Sequence, residues 1–395
     1  MKKNLLQTLF VVSTGITMVA CNSGAPGSNS STNPSTTQGA GYDVYVKNES
    51  SDTIQVQKIR LTHLSPEHLQ KAQLFTLQNA QLLAATAAPA TSYAITNGVS
   101  GFPANFYSNS SAKLIPLNQQ YFGSCVTFST VAGVSYIDSN YASTTDISPL
   151  DILDEGYEMY PNDISSTGWD GLPDASTLLG RMPNLAYYHN YNDTVSTYNA
   201  LSTAYQNSGD AGDLTISQLT KLSGFNTQLS KFEQLATTSN GTAFSNVRNA
   251  WSQLASDYST NNASIIKSAL DNGNIVLIGF DVYDSSETAN SSACLNGQGS
   301  TLGSAEYLYN AASSSVNKVS SASASNYNAW TNPSGCVLGG HEVWIVGYSK
   351  STSGQLIFTI RNSWGNSGDN GQYYMTDNYV NTAVNSITAV TKSVI

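Results

Sequence analysis

Charge is scarce in this sequence. Asp, Glu, Lys and Arg make up 11% of its 395 residues, and acids outnumber bases to give a formal net charge of −10. No cluster of Lys and Arg interrupts that balance, which excludes the phosphate-neutralising face that nucleic-acid binding needs. Cysteine is as sparse: Cys21, Cys125, Cys294 and Cys336, no two at C-x-x-C spacing, so neither a zinc ribbon nor a dithiol redox motif can form. Histidine is limited to His63, His68, His189 and His341, which leaves few choices for a general base. Past the N-terminus no run approaches the ~18 apolar residues of a spanning helix. The remainder is rich in Ser, Asn, Thr and Tyr, and the length suffices for a sizeable core.

The N-terminus reads as an export signal. Lys2 and Lys3 precede the apolar stretch Leu5 to Ala20, and Met18-Val19-Ala20-Cys21 closes it. Those four residues resemble a bacterial lipobox, in which the cysteine is lipidated and becomes the mature N-terminus; a simple export signal cut nearby is the alternative. Residues 22–40 are Gly, Ser, Asn, Thr and Pro without periodicity, the composition of a flexible linker.

Order is expected from residue 41. Val44 and Val46, a turn over Asn48 to Asp52, and Ile54, Val56, Ile59 and Leu61 predict a β-hairpin with a bulge near Gln57-Lys58. Ser65-Pro66-Glu67 starts a helix reaching about Ala85, with Leu69, Ala72, Phe75, Leu82 and Leu83 on its apolar side. Residues 41–100 thus look like a detachable pro-region, or else a small accessory domain that stays attached. Residues 101–395 read as one globular unit. Within it, polar insertions fall near 196–262, with weak helical patterning at Leu214 to Leu235 and Val247 to Tyr258, and near 284–335, read as surface loops. A helix over Ala263 to Leu270 ends at Asn272-Gly273, and Ile275 to Phe280 forms a buried strand.

Cys125 follows Gly123-Ser124 and precedes Phe128, Val131, Ala132 and Tyr136 at helical spacing. The thiol therefore opens a helix, where the dipole and unpaired amides favour thiolate over thiol. A buried inert cysteine is the plainer reading of the residue alone. His341 follows Gly339-Gly340 and opens a strand running to Tyr348; Leu356 to Asn362 returns beside it. Pairing Tyr348 with Gln355 would set His341 opposite Asn362, with Val343, Ile345 and Gly347 on the histidine face and Glu342 on the other. Asn362 could then orient the imidazole, and Trp364 would shield that contact from water. His189, among Tyr187, Tyr188 and Tyr191, reads as a packing residue.

The order Gln119…Gly-Ser-Cys125-x-x-Phe-Ser…Gly-Gly-His341…Arg-Asn362-Ser-Trp-Gly resembles the papain family of cysteine proteases. The resemblance covers about residues 100–395. It implies an α+β, papain-like two-lobed fold, with a helical lobe carrying the cysteine helix and a β-barrel-like lobe carrying His341 and Asn362. It implies Cys125 as nucleophile, His341 as base, Asn362 as orienter, and an oxyanion hole from the Gln119 side chain and the Cys125 backbone N–H. Protein or peptide substrates follow, with the pro-region as cleft blocker, a monomer, and no metal or organic cofactor.

The departures matter too. Two family cysteines that form a disulfide are replaced by Phe122 and Trp169, which suggests a packed aromatic contact in its place. In Gly168-Trp169-Asp170-Gly171-Leu172, Gly171 and Leu172 would line the substrate cleft with Trp364, and Leu172 stands where the family has glycine. Val126 replaces the usual Trp, a change that could lower activity. The step from Cys125 to His341 is 341 − 125 = 216 residues, against roughly 130–150 in the family. Cys336, expected in a loop above the site, could pair with Cys294 in an oxidising compartment; two buried free thiols are the alternative. The expectation is an exported bacterial protein: outer-membrane lipoprotein, periplasmic or secreted. Rival readings are an inactive papain-like surface binding lipoprotein, an adhesin working through the insertions, and an acyl transferase or ligase.

Overall fold

The computed structural model describes residues 43–49, 54–62, 66–86, 93–94, 117–137, 148–150, 164–165, 168–169, 191–207, 251–284, 326–327, 335–350, 356–367 and 371–390, with short runs or single positions at 64, 153, 219, 221–222, 224 and 226–228. A hairpin comes first, β1 (Asp43–Glu49) and β2 (Ile54–Arg60). Its register runs unbroken from Asp43↔Arg60 to Glu49↔Ile54, so the bulge expected near Gln57-Lys58 is absent. Both strands have seven residues, and no extra residue needs accommodating. Helix α1 (Pro66–Thr86) follows as the Ser-Pro-Glu start predicts, burying Leu69 and Ala72 and packing Phe75 on the core.

The centre is a six-stranded sheet. In chain order its strands are β3 (Trp251–Ala255), β4 (Ile275–Asp284), β5 (Cys336–Lys350), β6 (Leu356–Arg361), β7 (Gln372–Thr376) and β8 (Val384–Val390). Their spatial order is β7-β6-β5-β4-β8-β3, every neighbour antiparallel. The central run from Val276 to Phe280 is buried throughout, as a strand covered on both faces must be. Helices α2 (Cys125–Ile137), α4 (Asn262–Asp271) and α5 (Asp377–Ala383) pack against β4, and α3 (Tyr191–Asn207) lies against the loop that precedes α2. Helix α4 ends where Asn272-Gly273 predicts: Gly273 takes φ +79° and its N–H reaches Leu270 O at 2.9 Å. The mixed α+β class expected from the sequence is the class observed.

Three expectations change. Val247 to Tyr258, patterned weakly as helix, contains β3 instead, an edge strand paired to β8. Pairing with a neighbour overrides a weak local preference. Strand β5 begins at Cys336 rather than His341, so His341 is mid-strand, opposite Phe280, and Cys336 is a buried strand residue opposite Asp284 rather than part of a loop. The register of β5 and β6 is Phe358↔Tyr348, not Gln355 with Tyr348, and it shifts again between Thr359 and Ile360. His341 therefore does not stand opposite Asn362; the contact is made diagonally. Most of Leu214 to Leu235, and nearly all of 285–335, lie outside the described residues. Among the described residues no helix is long and apolar enough to cross a membrane.

Candidate active site

Cys125 is the first residue of α2 and is 1% exposed. Behind it, Phe128, Val131 and Ala132 bury the apolar face that holds this helix down, each large side chain contributing about 1.5–3 kcal/mol. The approach to it is a tight turn. Among the described residues Gln120 alone, glycine aside, has a positive φ, +55°, a conformation costing about 1–3 kcal/mol that neighbours must impose. Asn118 Oδ1 accepts the Gln120 N–H at 2.9 Å, and Gln57 Nε2 donates to both Asn118 Oδ1 and Gln120 Oε1. The turn aims Gln119 inward, where it is fully buried.

Gln119 joins the cysteine loop to the Asn362 motif. Its N–H donates to Ser363 O at 2.8 Å and its Oε1 accepts from Ser363 Oγ at 2.7 Å, while the Gly365 N–H donates to Leu117 O at 2.8 Å. Its remaining donor, Nε2, reaches Phe122 O at 3.2 Å and Arg60 O at 3.3 Å.

His341 is fully buried, stacked on Trp364 with centroids 4.6 Å apart, and met edge-on by Phe280 at 5.6 Å. Its Nε2 lies 2.7 Å from Asn362 Oδ1. The amide orientation is fixed independently, because the backbone N–H of Ser363 donates to that same Oδ1 at 2.8 Å. An acceptor on that side requires the proton on Nε2, leaving Nδ1 with a free lone pair; among the described residues Nδ1 has no hydrogen-bond partner. The imidazole is thus held in the tautomer that can take a proton through Nδ1.

Thr62 links the sulfur to the histidine strand. Its hydroxyl is 3.6 Å from Cys125 Sγ, and its backbone pairs with Gly340 in both directions, at 3.0 and 2.9 Å. On the opposite face of β5 from the imidazole, Glu342 is fully buried beneath α2, with Ser129 Oγ 2.5 Å from its Oε1. Burial, chiefly, and the neighbouring Cys125 push its carboxyl up to about 8.

The sequence-picked residues thus divide. Gln119, His341, Asn362 and Trp364 are joined through Ser363 and the imidazole stack, and Cys125 reaches the histidine strand through Thr62 and the backbone of Gly340. Gly171, Leu172, Cys294 and Cys21 lie outside the described residues, as does the side chain of Trp169. Phe122 packs edge-on against Tyr198 and Tyr205 of α3. Sequence reasoning missed Thr62, Tyr198 and Tyr205. The tyrosines had a signal, since Tyr191, Tyr198 and Tyr205 recur every seven residues on one helix.

No protein-family profile matches the sequence, and no curated protein matches it. Among solved structures it is similar to xylellain, a cysteine protease from Xylella fastidiosa, at 15% identity and a TM-score of 0.40, over 80% of this chain and 89% of that one. It is similar to the proform of Amb a 11, a ragweed pollen cysteine protease, at 11% identity and a TM-score of 0.38, over 82% and 76%. Bromelain from Ananas comosus, in complex with E64, follows at 12% identity and a TM-score of 0.37, over 76% and 97%. These three solved structures are papain-family cysteine proteases.

Proposed function

We propose that this chain is a papain-like cysteine peptidase made as an exported precursor, with Cys125, His341 and Asn362 as its catalytic groups. The observation carrying this is the imidazole fixed through Nε2 by Asn362 Oδ1 with Nδ1 left open, on the strand whose Gly340 shares Thr62 with Cys125 Sγ. In the reaction, Nδ1 takes the Sγ proton and the thiolate attacks a peptide carbonyl carbon. Gln119 Nε2 and the Cys125 N–H receive the oxyanion. The imidazolium returns its proton to the leaving amine as the C–N bond breaks; water, deprotonated by the same nitrogen, then releases the acid and the thiol.

In this reading residues 41–100 are the pro-region, and Arg60 to Thr62 close the cleft. The Arg60 carbonyl occupies Gln119 Nε2, the Thr62 hydroxyl covers the sulfur, and Thr62 takes both backbone groups of Gly340. Each of those groups is one that a substrate needs. Export with lipidation at Cys21, and a Cys294–Cys336 disulfide, belong to the same proposal; intact and reduced mass spectra of the exported protein test both.

The peptidase reading is tested with a protease site placed between residues 95 and 116 of the full chain. Cutting there makes the N-terminal segment separable on dilution. An epoxide-type thiol-protease inhibitor should label Cys125 after cutting and dilution, at least about tenfold faster than before, and should not label Cys125→Ala. A cut, diluted chain that neither labels nor cleaves peptides would leave the inactive binding lipoprotein as the better reading.

A further inference from the structure

Arg60 is 1% exposed, and two of the groups that meet its guanidinium come from the globular unit. Its Nη2 donates to Tyr121 OH at 2.5 Å and its Nη1 donates to Tyr205 OH. The Arg60 Cζ lies 4.7 Å from the Tyr121 ring centre and 5.5 Å from that of Tyr205. The two rings stack 5.7 Å apart at 25°. The pair thus offers two hydroxyl acceptors to two different guanidinium nitrogens and two π-faces to the cation. A planar fork satisfies both hydroxyls at once; a single ammonium does so less well.

This cage does not depend on Arg60 for its shape. The Tyr121 N–H is tied to Ser202 Oγ at 3.0 Å, and Phe122 braces Tyr205 edge-on at 5.7 Å. One turn earlier on α3, the Tyr198 hydroxyl holds Gln119 O at 2.7 Å. Nor is it remote from the chemistry. Tyr121 lies between Gln119 and Cys125, the Arg60 carbonyl is on Gln119 Nε2, and Thr62, two residues on, is against the sulfur. A peptide backbone crossing the same donors carries a side chain into the same space. Lys58, whose Nζ sits 4.6 Å over the Tyr121 ring, shows that the mouth of the cage also accepts a cation.

We propose that Tyr121 and Tyr205 form a guanidinium subsite of the cleft, filled by Arg60 in the precursor and by a substrate arginine close to the scissile bond once the N-terminal segment has left. The proposal rests on the peptidase reading, and its order of preference is arginine, then lysine, then the isosteric neutral citrulline.

The test uses the full chain with the protease site described above, carrying Arg60→Ala, or Arg60→Met should the smaller residue fail to fold. Two measurements are made on one preparation. Thermal shift reads binding of N-ethylguanidinium against ethylammonium, with Tyr205→Phe as the comparison. Hydrolysis of peptides scanned with Arg, Lys or citrulline on either side of the scissile bond, normalised to epoxide-labelled Cys125, reads the subsite. The expected result is stabilisation by N-ethylguanidinium that Tyr205→Phe weakens. With it comes an arginine-over-citrulline ratio in kcat/KM of about tenfold or more at one position beside the scissile bond, reduced in Tyr205→Phe. Labelling and hydrolysis with arginine and citrulline equal at every position overturn the subsite and leave the peptidase standing. Guanidinium binding without labelling or hydrolysis ends the peptidase reading, and a substrate subsite with it.

Discussion

The Ser129 hydroxyl has one hydrogen and two neighbours within reach, Val126 O at 3.0 Å and Glu342 Oε1 at 2.5 Å. The hydroxyl donates to both, sharing its hydrogen between the helix carbonyl and the carboxyl. Burial, the main cause, pushes the Glu342 carboxyl up to about 8, helped by the Cys125 neighbour and opposed by the Ser129 donor. With the folded value above the unfolded one of ~4.3, stability is fully present below about pH 4 and declines as pH rises through 8. Glu342→Gln keeps the shape and removes the titration. Denaturant unfolding should show the variant gaining on the parent by on the order of a few kcal/mol between pH 5 and pH 8, and a gap that stays constant with pH contradicts the assignment. Such residues explain the limits of reading by sequence. Cys125 and His341 announce themselves through turn glycines and local pattern. Glu342 was legible as facing away from the imidazole, but nothing near it in the chain names Ser129, 213 residues earlier.

At the scale of elements, the closest backbone approach is between the segment after β2 and strand β5. A Cβ at Gly339 would stand 2.7 Å from Leu61 Cβ and 2.8 Å from Thr62 O. A backbone carbonyl held in the Thr62–Gly340 pairing cannot retreat from it. Gly339→Ala should therefore push the N-terminal segment off β5, and epoxide labelling of the uncut chain should rise at least about tenfold; a rate equal to the parent's would show that this contact does not govern access. The hairpin, α1, α2 and the end of α4 were all legible because strand alternation, caps and turn residues are local. Strand β3 and the β5–β6 register were not. An edge strand is held by its neighbour β8, and the irregularity between Thr359 and Ile360 arises from pairing that a count of residues cannot show.

Across the whole molecule, the N-terminal segment meets the globular unit through Gln57 on Asn118, Arg60 in the tyrosine pair, Thr62 on β5, His68 on β4 and Thr76 on Tyr283, among other contacts. His68 belongs to a buried polar cluster. Asp281, fully buried, lies 2.8 Å from His68 Nε2 and accepts from Tyr258 OH at 2.5 Å and Asn385 Nδ2 at 3.1 Å. Burial and the Asp281 charge hold the Tyr258 hydroxyl well above its ordinary range, so it stays a donor at any working pH. Removing the His68 side chain leaves an aspartate buried under α1 with one partner fewer, a loss of a few kcal/mol in the docked state. Cutting between residues 95 and 116 turns docking into an equilibrium between two pieces, so that energy reads directly as a dissociation constant. His68→Ala should weaken the cut complex between about tenfold and a thousandfold, measured as the dilution at which Cys125 becomes open to the epoxide. If the variant dissociates at the parent's concentration, the contacts other than His68 suffice to hold the segment, and the Asp281 cluster serves only the interior of the globular unit.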